Sequence, residues 1–391
     1  MAEWSKTQLS DILVDKGYIR GPFGSALKRG DMKENGVPVY EQQHAIYDSR
    51  GFRYYIDEQK FVEMKRFQVN TDDLIISCSG TVGKVSIIRD DDPKGIISQA
   101  LLLLRVDKNK ILPLYLKYFF SSRDGYNAIV SRSSGSVQVN IAKRDVIEQI
   151  PLMLPKIETQ RKIVGVLNSI DKKIDENERI NKNLEQQAQA IYQQMFIDNA
   201  SSDWTKGTLS DIADITMGQS PSGSSYNEDG NGTIFFQGRA EFGFRFPTVR
   251  LYTTEPKRMA CANDTLMSVR APVGDLNVAH TDCCIGRGLA TIHSKNNHQS
   301  FVLYTMFSLK KQLDVFNGEG TVFGSINRNS LNEISLLIPS SEKLDEFEAL
   351  VAPMDAAIRN NYDEICRLEQ LRDSLLSKLM SGELDVSDIE I

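Results

Sequence analysis

The chain has 391 residues, of which 41% are hydrophobic and 25% are charged, and its formal net charge is -6. This composition is typical of two or three globular domains, and it excludes a disordered chain and a disulfide scaffold. The acidic balance argues against a protein that coats nucleic acid, although it allows local basic surfaces. The amino terminus lacks a signal peptide, no run reaches 18 apolar residues, and the five cysteines show no metal-ligand spacing. We therefore expect a cytoplasmic protein.

An internal repeat organises the chain. Three pairs of segments match in order: residues 9–12 with 209–212, residues 73–77 with 264–268, and residues 150–155 with 334–339. Their offset shortens along the chain, as expected for a duplicated domain whose loops differ in length. The segments between the matches, residues 18–70 and 216–262, are unlike each other. This difference fits either ordinary loop drift or two different binding surfaces on one frame.

Each copy mixes short apolar runs with helical segments. The pattern predicts helices at residues 113–121 and 300–309, and strands at residues 74–77, 85–88, 100–106, 266–269 and 289–292. We therefore expect small α/β (α+β) globular domains, two in tandem, related by a pseudo-twofold internal repeat.

A long helix follows each copy. Seam residues recur there at alternating spacings of four and three, the period of a coiled coil. In the first helix they are Ile163, Leu167, Ile170, Ile174, Asn177, Asn181, Leu184, Ala188, Ile191 and Met195. In the second helix they are Phe347, Val351, Met354, Ile358, Asn361, Ile365, Leu368, Arg372, Leu375 and Leu379. Two helices of about 60 Å each, paired antiparallel, would separate the two domains.

The predicted order is a first domain at residues 1–156, a central helix at 157–199, a second domain at 200–340 and a carboxy-terminal helix at 341–391. Asn177 and Asn361 lie midway along the two helices, so antiparallel pairing predicts that they approach each other. They either fix the helix register or are polar residues that the seam tolerates.

No catalytic motif is complete in the sequence. Residues 80–84 (GTVGK) are similar to a phosphate-binding loop, but Cys78 and Val85 stand where that motif needs Gly and then Ser or Thr. Glu58 and Lys60 have a nuclease-like spacing without a metal-binding aspartate in a matching frame. The four histidines lack metal-ligand spacing, and no GxGxxG segment opens a helix. The sequence therefore predicts a non-catalytic protein, and a nuclease that uses Glu58 and Lys60 ranks third among the alternatives.

The duplicated motifs resemble those of a known family. The openings WSKTQLSDI and WTKGTLSDI, the segments SCSGTVGK and SVRAPVGD, and the helix starts LPKIETQRKI and IPSSEKLDEF resemble the specificity (S) subunits of Type I restriction-modification systems. The resemblance implies two target-recognition domains, each of which reads one half of a bipartite, asymmetric target in double-stranded DNA. It also implies two methyltransferase (modification) subunits and restriction (translocase-nuclease) subunits as partners. S-adenosylmethionine, ATP and Mg would then belong to those partners, and this chain would carry no cofactor and no metal.

Candidate DNA-contacting residues follow from the chemistry of base edges. Arg or Lys suits guanine, Asn or Gln suits adenine, and hydroxyl groups suit either. The first copy offers Arg20, Ser25, Lys28, Arg29, Gln42, Gln43, His44, Tyr47, Ser79, Thr81, Lys84 and Gln99. The second copy offers Gln219, Ser220, Ser222, Tyr226, Gln237, Arg239, Arg245, Arg270 and Arg287. We expect about half of them to contact phosphates, or nothing, instead of bases.

Two alternatives stay open at the level of the sequence. Residues 135–140 (GSVQVN) and 320–327 (GTVFGSIN) either present backbone amides to phosphate or form buried turns. The whole chain is either a DNA reader or a duplicated coiled-coil scaffold, such as a degenerate S-like subunit, that binds proteins but not DNA. The negative net charge favours the scaffold, whereas the polar and basic residues of the unlike loops favour the DNA reader.

Overall fold

The computed structural model describes residues 4–133, 139–318 and 324–387, and the side chain of Ser25 lies outside this description. Most of the two predicted Gly-bearing loops, residues 135–138 and 320–323, lies outside it as well. The chain divides into two compact units. The first unit consists of residues 1–175 and 366–391, and the second unit consists of residues 176–365.

Short apolar runs form the strands of the first unit: β1 (Ser5–Gln8), β2 (Leu13–Arg20), β3 (Val37–Tyr40), β4 (Tyr55–Ile56), β5 (Leu74–Ser77), β6 (Val85–Ile87), β7 (Ile96–Ile97), β8 (Leu101–Val106) and β9 (Pro151–Leu154). Its helices are α1 (Gln42–Ile46), α2 (Glu58–Glu63), α3 (Pro113–Ser121), α4 (Arg123–Val130) and α5 (Arg144–Glu148). The long helix α6 (Ile157–Tyr192) follows and ends in a π-helical turn at Gln193–Asp198.

A four-stranded antiparallel sheet in the order β2-β8-β5-β6 forms the centre of the first unit. Strands β5 and β8 are buried almost throughout, which explains why Leu and Ile fill most of both. A smaller sheet has the order β4-β3-β7, with β3 and β7 parallel, and β1 pairs with β9. Helix α3 and the start of α6 complete the main hydrophobic core.

The second unit repeats this plan. Its strands are β10 (Thr205–Thr208), β11 (Ala213–Met217), β12 (Tyr226–Asn227), β13 (Thr233–Phe236), β14 (Leu251–Thr253), β15 (Met259–Ala260), β16 (Thr265–Ser268), β17 (Leu276–Val278), β18 (Cys283–Ile285), β19 (Leu289–Ser294) and β20 (Ser335–Ile338). Its helices are α7 (Leu209–Ile212), α8 (Gln299–Ser308), α9 (Lys310–Asp314), α10 (Arg328–Asn332) and the long α11 (Ser341–Ser381).

The main sheet of the second unit, β11-β19-β16-β17, matches that of the first unit strand for strand. The smaller sheet is larger in the second unit, with the order β12-β14-β13-β18-β15. Its strands β14-β13-β18 match β4-β3-β7, including the parallel pair, and β12 and β15 are added at its edges. Hydrogen bonds also recur at matched positions. The Leu9 amide donates to the Ile150 carbonyl at 3.0 Å, and the Leu209 amide donates to the Ile334 carbonyl at 2.9 Å. The predicted duplication is therefore confirmed, with variation concentrated around the smaller sheet.

Each unit contains portions of both long helices, and these portions run antiparallel. In the first unit the start of α6 shares a core with the end of α11, as Ile163 does with Leu379. In the second unit the end of α6 shares a core with the start of α11, as Ala188 does with Phe347. All the predicted seam residues are buried or half-buried. The heptad pattern therefore predicted the contacting faces of both helices correctly.

The register of the helices differs from the prediction by about one turn. Asn361 Nδ2 donates to Asn181 Oδ1 at 2.8 Å, and Asn177 Nδ2 donates to Glu364 Oε2 at 2.8 Å. Asn177 and Asn181 are only 1% and 3% exposed, so each needs such a partner. The expected approach of Asn177 to Asn361 is corrected, because interlocking side chains and not the midpoints of the helices set the register.

Most predicted elements agree with the structure to within two residues. Helix α3 and strand β5 have the predicted bounds, while α8 begins and ends one residue earlier. The carboxy end of β19 reaches Ser294, two residues beyond the prediction. The four domain boundaries given above stay predictions, since the compact units divide both long helices between them.

Candidate nucleic-acid interface

A turn of the same geometry connects two neighbouring strands of the main sheet in each unit, β5 to β6 in the first unit and β16 to β17 in the second. Ser77 Oγ accepts a hydrogen bond from the Lys84 amide at 3.0 Å, and Ser268 Oγ accepts one from the Asp275 amide at 2.9 Å. Gly83 has a φ of 86°, which favours glycine. The GTVGK segment is therefore a structural turn between strands, as its failure to match a phosphate loop indicates.

A close approach of two backbones places this turn beside neighbouring loops. A Cβ atom on Gly21 would collide with the carbonyl of Ser98, and one on Gly218 would collide with the carbonyl of Gly286. Glycine is needed at both positions, because no side chain fits there. In the first unit the Cys78 amide, at the turn, also donates to Ala100 at 2.9 Å. The turn and these loops thus form one surface in each unit, which we call the cleft. It includes the loops at Gly21 and Ser98 in the first unit and those at Gly218 and Gly286 in the second.

The cleft of the second unit contains a cavity of about 260 Å³. Polar side chains line it: Ser220, Gln237, Arg239, Ser268, Arg270 and Arg287. All of them except Ser268 are predicted DNA-contacting residues. The fold therefore brings together predicted residues that are as far apart in sequence as Ser220 and Arg287, which are separated by 67 positions.

The cavity is positively charged. Arg239 Nε lies 2.8 Å from Asp275 Oδ2, so that arginine is neutralised within the protein. The backbone amide of Arg287 donates to Ser220 Oγ at 3.2 Å, which fixes the base of its side chain. Within the described parts of the chain, the guanidinium groups of Arg270 and Arg287 have no hydrogen-bond or ion-pair partner, and both residues are exposed. Such groups are available to acceptor atoms of a ligand.

The cleft of the first unit has different side chains. Ser79 occupies the position of Arg270, and Gln99 occupies the position of Arg287. Thr81, Lys84 and Gln99 are exposed, and Lys84 Nζ lies 5.0 Å from the centre of the Tyr126 ring. Ser79 Oγ donates to Asn140 Oδ1 at 2.9 Å.

Gln42 has a structural role in the first cleft. Its Nε2 donates to the Ser79 carbonyl at 2.6 Å, while its Oε1 accepts from the amides of Ser79 (3.0 Å) and Cys78 (3.3 Å). The side-chain amide is thus engaged by the backbone of the turn, and it positions that turn. The prediction that Gln42 reads bases is corrected for this reason.

Two further predictions are corrected because the side chains are buried. His44 is fully buried: its Nδ1 accepts from the Glu41 amide at 2.7 Å, and its ring stacks on Phe52. Burial lowers the pKa of His44, so its ring is held neutral inside the fold. Arg245 is 4% exposed and bonds to Glu185, Asp355 and Tyr304, so it joins the second domain to the helices.

The remaining predicted residues differ in exposure. Arg20, Gln43 and Tyr226 are half-buried, and the Tyr226 hydroxyl donates to the Pro221 carbonyl at 3.1 Å. Arg20 lies beside Cys78, where burial raises the pKa of the thiol to about 12 and makes it unreactive. The exposed residues are Lys28, Arg29, Tyr47, Gln219 and Ser222, and their contact with DNA stays a prediction.

A tyrosine–aspartate hydrogen bond that the sequence did not predict attaches a long helix to the domain in each unit. The Tyr118 hydroxyl donates to Asp171 at 2.7 Å in the first unit, and the Tyr304 hydroxyl donates to Asp355 at 2.9 Å in the second unit. Asp171 and Asp355 are 184 positions apart, which is also the offset between residues 150–155 and 334–339 of the repeat. Aligning the two copies residue by residue would have found them, but neither aspartate lies on the seam.

Each unit thus carries one copy of a polar surface, and the side chains at matched positions differ between the two copies. Over the ranges that the structure describes, no helix is long and apolar enough to span a membrane, and His, Cys, Asp and Glu side chains form no group of three that could hold a metal ion. The chain belongs to the family of the Type I restriction modification DNA specificity domain, whose model matches residues 1–186 and 201–359.

Individual relatives agree with this assignment. The chain is 30% identical over 359 residues to a protein of Methanocaldococcus jannaschii described as the MjaX type I restriction enzyme specificity subunit. The alignment covers 85% of this chain and 83% of that relative. It is 23% identical over 379 residues to the MjaIX specificity subunit of the same organism, with 88% and 84% covered. The crystal structure of a Type-I restriction-modification system S subunit from M. genitalium has the same fold, with a TM-score of 0.59 at 16% identity, and covers 97% of this chain and 96% of that chain.

Family membership establishes the chain as a DNA-recognition subunit that is itself non-catalytic. The predicted fold class, two tandem α/β (α+β) domains with two long helices, is confirmed. The alternative of a protein-binding scaffold without DNA recognition is not favoured by these relatives.

Proposed function

We propose that each unit reads one half of a bipartite, asymmetric target in double-stranded DNA through its cleft. One observation carries this proposal: the same frame is built twice with different side chains at matched positions. Arg270 and Arg287 stand in the second cleft where Ser79 and Gln99 stand in the first. Because arginine, glutamine and serine pair with different base edges, the two half-sites differ and the target is not a palindrome.

The two clefts contribute the contacts in this proposal. In the second unit Ser220, Gln237, Arg270 and Arg287 face bases, and the surrounding Gln219 and Ser222 contact bases or phosphates. Arg239 is paired with Asp275 and shapes the wall of the cleft. In the first unit Ser79, Thr81, Lys84 and Gln99 have the corresponding roles. Exposed Lys28, Arg29 and Tyr47 extend that surface.

The long helices serve as the spacer between the half-sites. Helix α6 has 36 residues and is therefore about 54 Å long. This length is of the order of the 34–36 Å that separates half-sites one DNA turn apart. We infer that the helices fix the number of base pairs between the half-sites that the protein does not read. We also infer that the two domains span residues 1–156 and 200–340.

The chemistry belongs to the partners. We infer that the chain assembles with two methyltransferase subunits, which bind S-adenosylmethionine, and with restriction subunits, which use ATP and Mg. The complex works in the cytoplasm, where the DNA and these cofactors are found.

A methylome measurement tests the proposed function. The chain is expressed with its cognate methyltransferase subunit in cells whose genome is read by single-molecule sequencing, beside cells that lack the chain. We expect one split, asymmetric motif, methylated in both halves, that depends on this chain. If the methyltransferase is bound and catalytically competent yet no motif appears, the DNA-reading function is wrong and a scaffold role replaces it.

A further inference from the structure

Two arginines in the cleft of the second unit have no partner among the described residues. Arg270 follows the end of β16, and Arg287 lies between β18 and β19, so they reach the same cavity from different loops. The third arginine of this cavity, Arg239, is held by Asp275, which in turn lies 3.1 Å from Lys310 Nζ. The charges available to a ligand are therefore those of Arg270 and Arg287.

The surroundings of these arginines favour a base edge over a phosphate. Gln237, a side chain with both donor and acceptor atoms, lines the same cavity of about 260 Å³. A base edge is neutral and presents acceptors to the arginines. Guanine offers N7 and O6 in the major groove, and arginine donates to both at once.

The first unit lacks this chemistry at the matched positions. The residues there are Ser79 and Gln99, and Gln99 is exposed. Arg53 lies 2.7 Å from the carboxylate of Glu41, which occupies the position of Gln237. A glutamine amide donates to N7 and accepts from N6 of adenine.

We propose that Arg270 and Arg287 select guanine in the half-site read by the second unit, and that Gln99, at the position of Arg287, selects adenine in the half-site read by the first unit. This inference rests on the proposed function, because it specifies the bases that each cleft reads. It predicts that the second half-site contains guanine at positions where the first half-site does not.

The first test exchanges residues between matched positions. Arg287→Gln and Arg270→Ser each give the second cleft the side chain of the first, and each variant is purified as the complex with its methyltransferase subunit. Binding is measured on duplexes that carry the wild-type motif or a single base change in it. We expect each variant to lose about 10- to 100-fold of the wild-type preference for guanine at one position of one half-site, and to keep the other half. Arg258→Gln, an exposed arginine that does not line the cavity, is the matched control and keeps the wild-type motif.

The reciprocal variant keeps the proposal testable should either arginine variant fail to assemble. Gln99→Arg adds an arginine to the first cleft, and we expect the preferred base at one position of the first half-site to change from adenine to guanine. The second half-site should stay as it is. Both effects are visible in the methylated motif as well as in binding.

Other outcomes overturn the inference without touching the proposed function. A wild-type motif that is split and chain-dependent but has no guanine in the second half contradicts it. If Arg287→Gln and Arg270→Ser weaken DNA binding equally on all sequences and leave the motif unchanged, the two arginines contact phosphates instead of bases. Absence of any chain-dependent motif in the wild type would instead contradict the proposed function itself.

Discussion

The buried ion cluster around Arg245 makes a quantitative prediction about the second unit. Arg245→Ala removes a guanidinium that is 4% exposed and bonds to Glu185, Asp355 and Tyr304. Breaking a buried ion pair by removing one partner costs about 3–5 kcal/mol, because the remaining charge is left uncompensated. The side chains of Glu185 and Asp355 are 16% and 22% exposed, so water partly solvates them. We therefore expect a loss of about 3 kcal/mol, at the lower end of that range.

Hydrogen exchange of core amides in the second unit measures this loss. A decrease of about 3 kcal/mol accelerates exchange through the opened state by about 100-fold. Lys343→Ala is the control in the same unit, since Lys343 is 49% exposed and its pair with Glu346 is a surface pair of about 1 kcal/mol at most. Equal exchange rates in the two variants would refute the structural role of Arg245 and return it to the candidates for DNA contact.

Three further predictions concern single side chains. Asn181→Leu leaves Asn361 without its partner in the seam, so urea unfolding should show that the free energy of unfolding falls by about 1–3 kcal/mol. The double variant Asn181→Leu/Asn361→Leu should recover this loss. Gln42→Ala removes three hydrogen bonds to the turn at Cys78 and Ser79, and we expect recognition of one half-site to weaken by about 10-fold in binding assays while the other is unchanged. Burial lowers the pKa of His44, so below about pH 6.5 the unfolded chain binds more protons there than the folded chain does. The stability that neutral His44 contributes is complete above that pH and is lost as the pH falls, and His44→Gln should flatten this part of the stability profile.

Each of these predictions has a contrary result. An Asn181→Leu variant as stable as the wild type would show that the pair does not constrain the seam. Equal weakening on both half-sites would mean that Gln42 supports general affinity and not one cleft. Identical pH profiles of the wild type and His44→Gln between pH 5 and about 7 would contradict a neutral buried imidazole.

Long-range periodicity made the helices predictable, but the pairing between short strands could not be predicted from the sequence. The seams from Ile163 to Met195 and from Phe347 to Leu379 each repeat over many turns, so their pattern stands out from noise. Strands β3 and β7 contain four and two residues, and their parallel pairing joins segments that are more than 50 positions apart. No local pattern encodes such a contact, since only the folded sheet brings its members together.

Residue type predicted several members of the cleft but did not distinguish them from buried polar residues. Arg245 and Arg287 are both arginines of the second copy, yet Arg245 is only 4% exposed whereas Arg287 is an exposed residue. The difference comes from Glu185 and Asp355, which lie on the helices and are distant in sequence. A donor therefore predicts a base contact only when no carboxylate of the fold already binds it.

An exchange of the first variable segment tests the central claim, that the two clefts read independently, most directly. Residues 18–70 are replaced by the matching segment of a homologous subunit with a known target, and the methylated motif is read from cells that also express the methyltransferase. We predict that one half of the motif changes to that of the donor while the other half and the spacing stay the same. A change in both halves would contradict it.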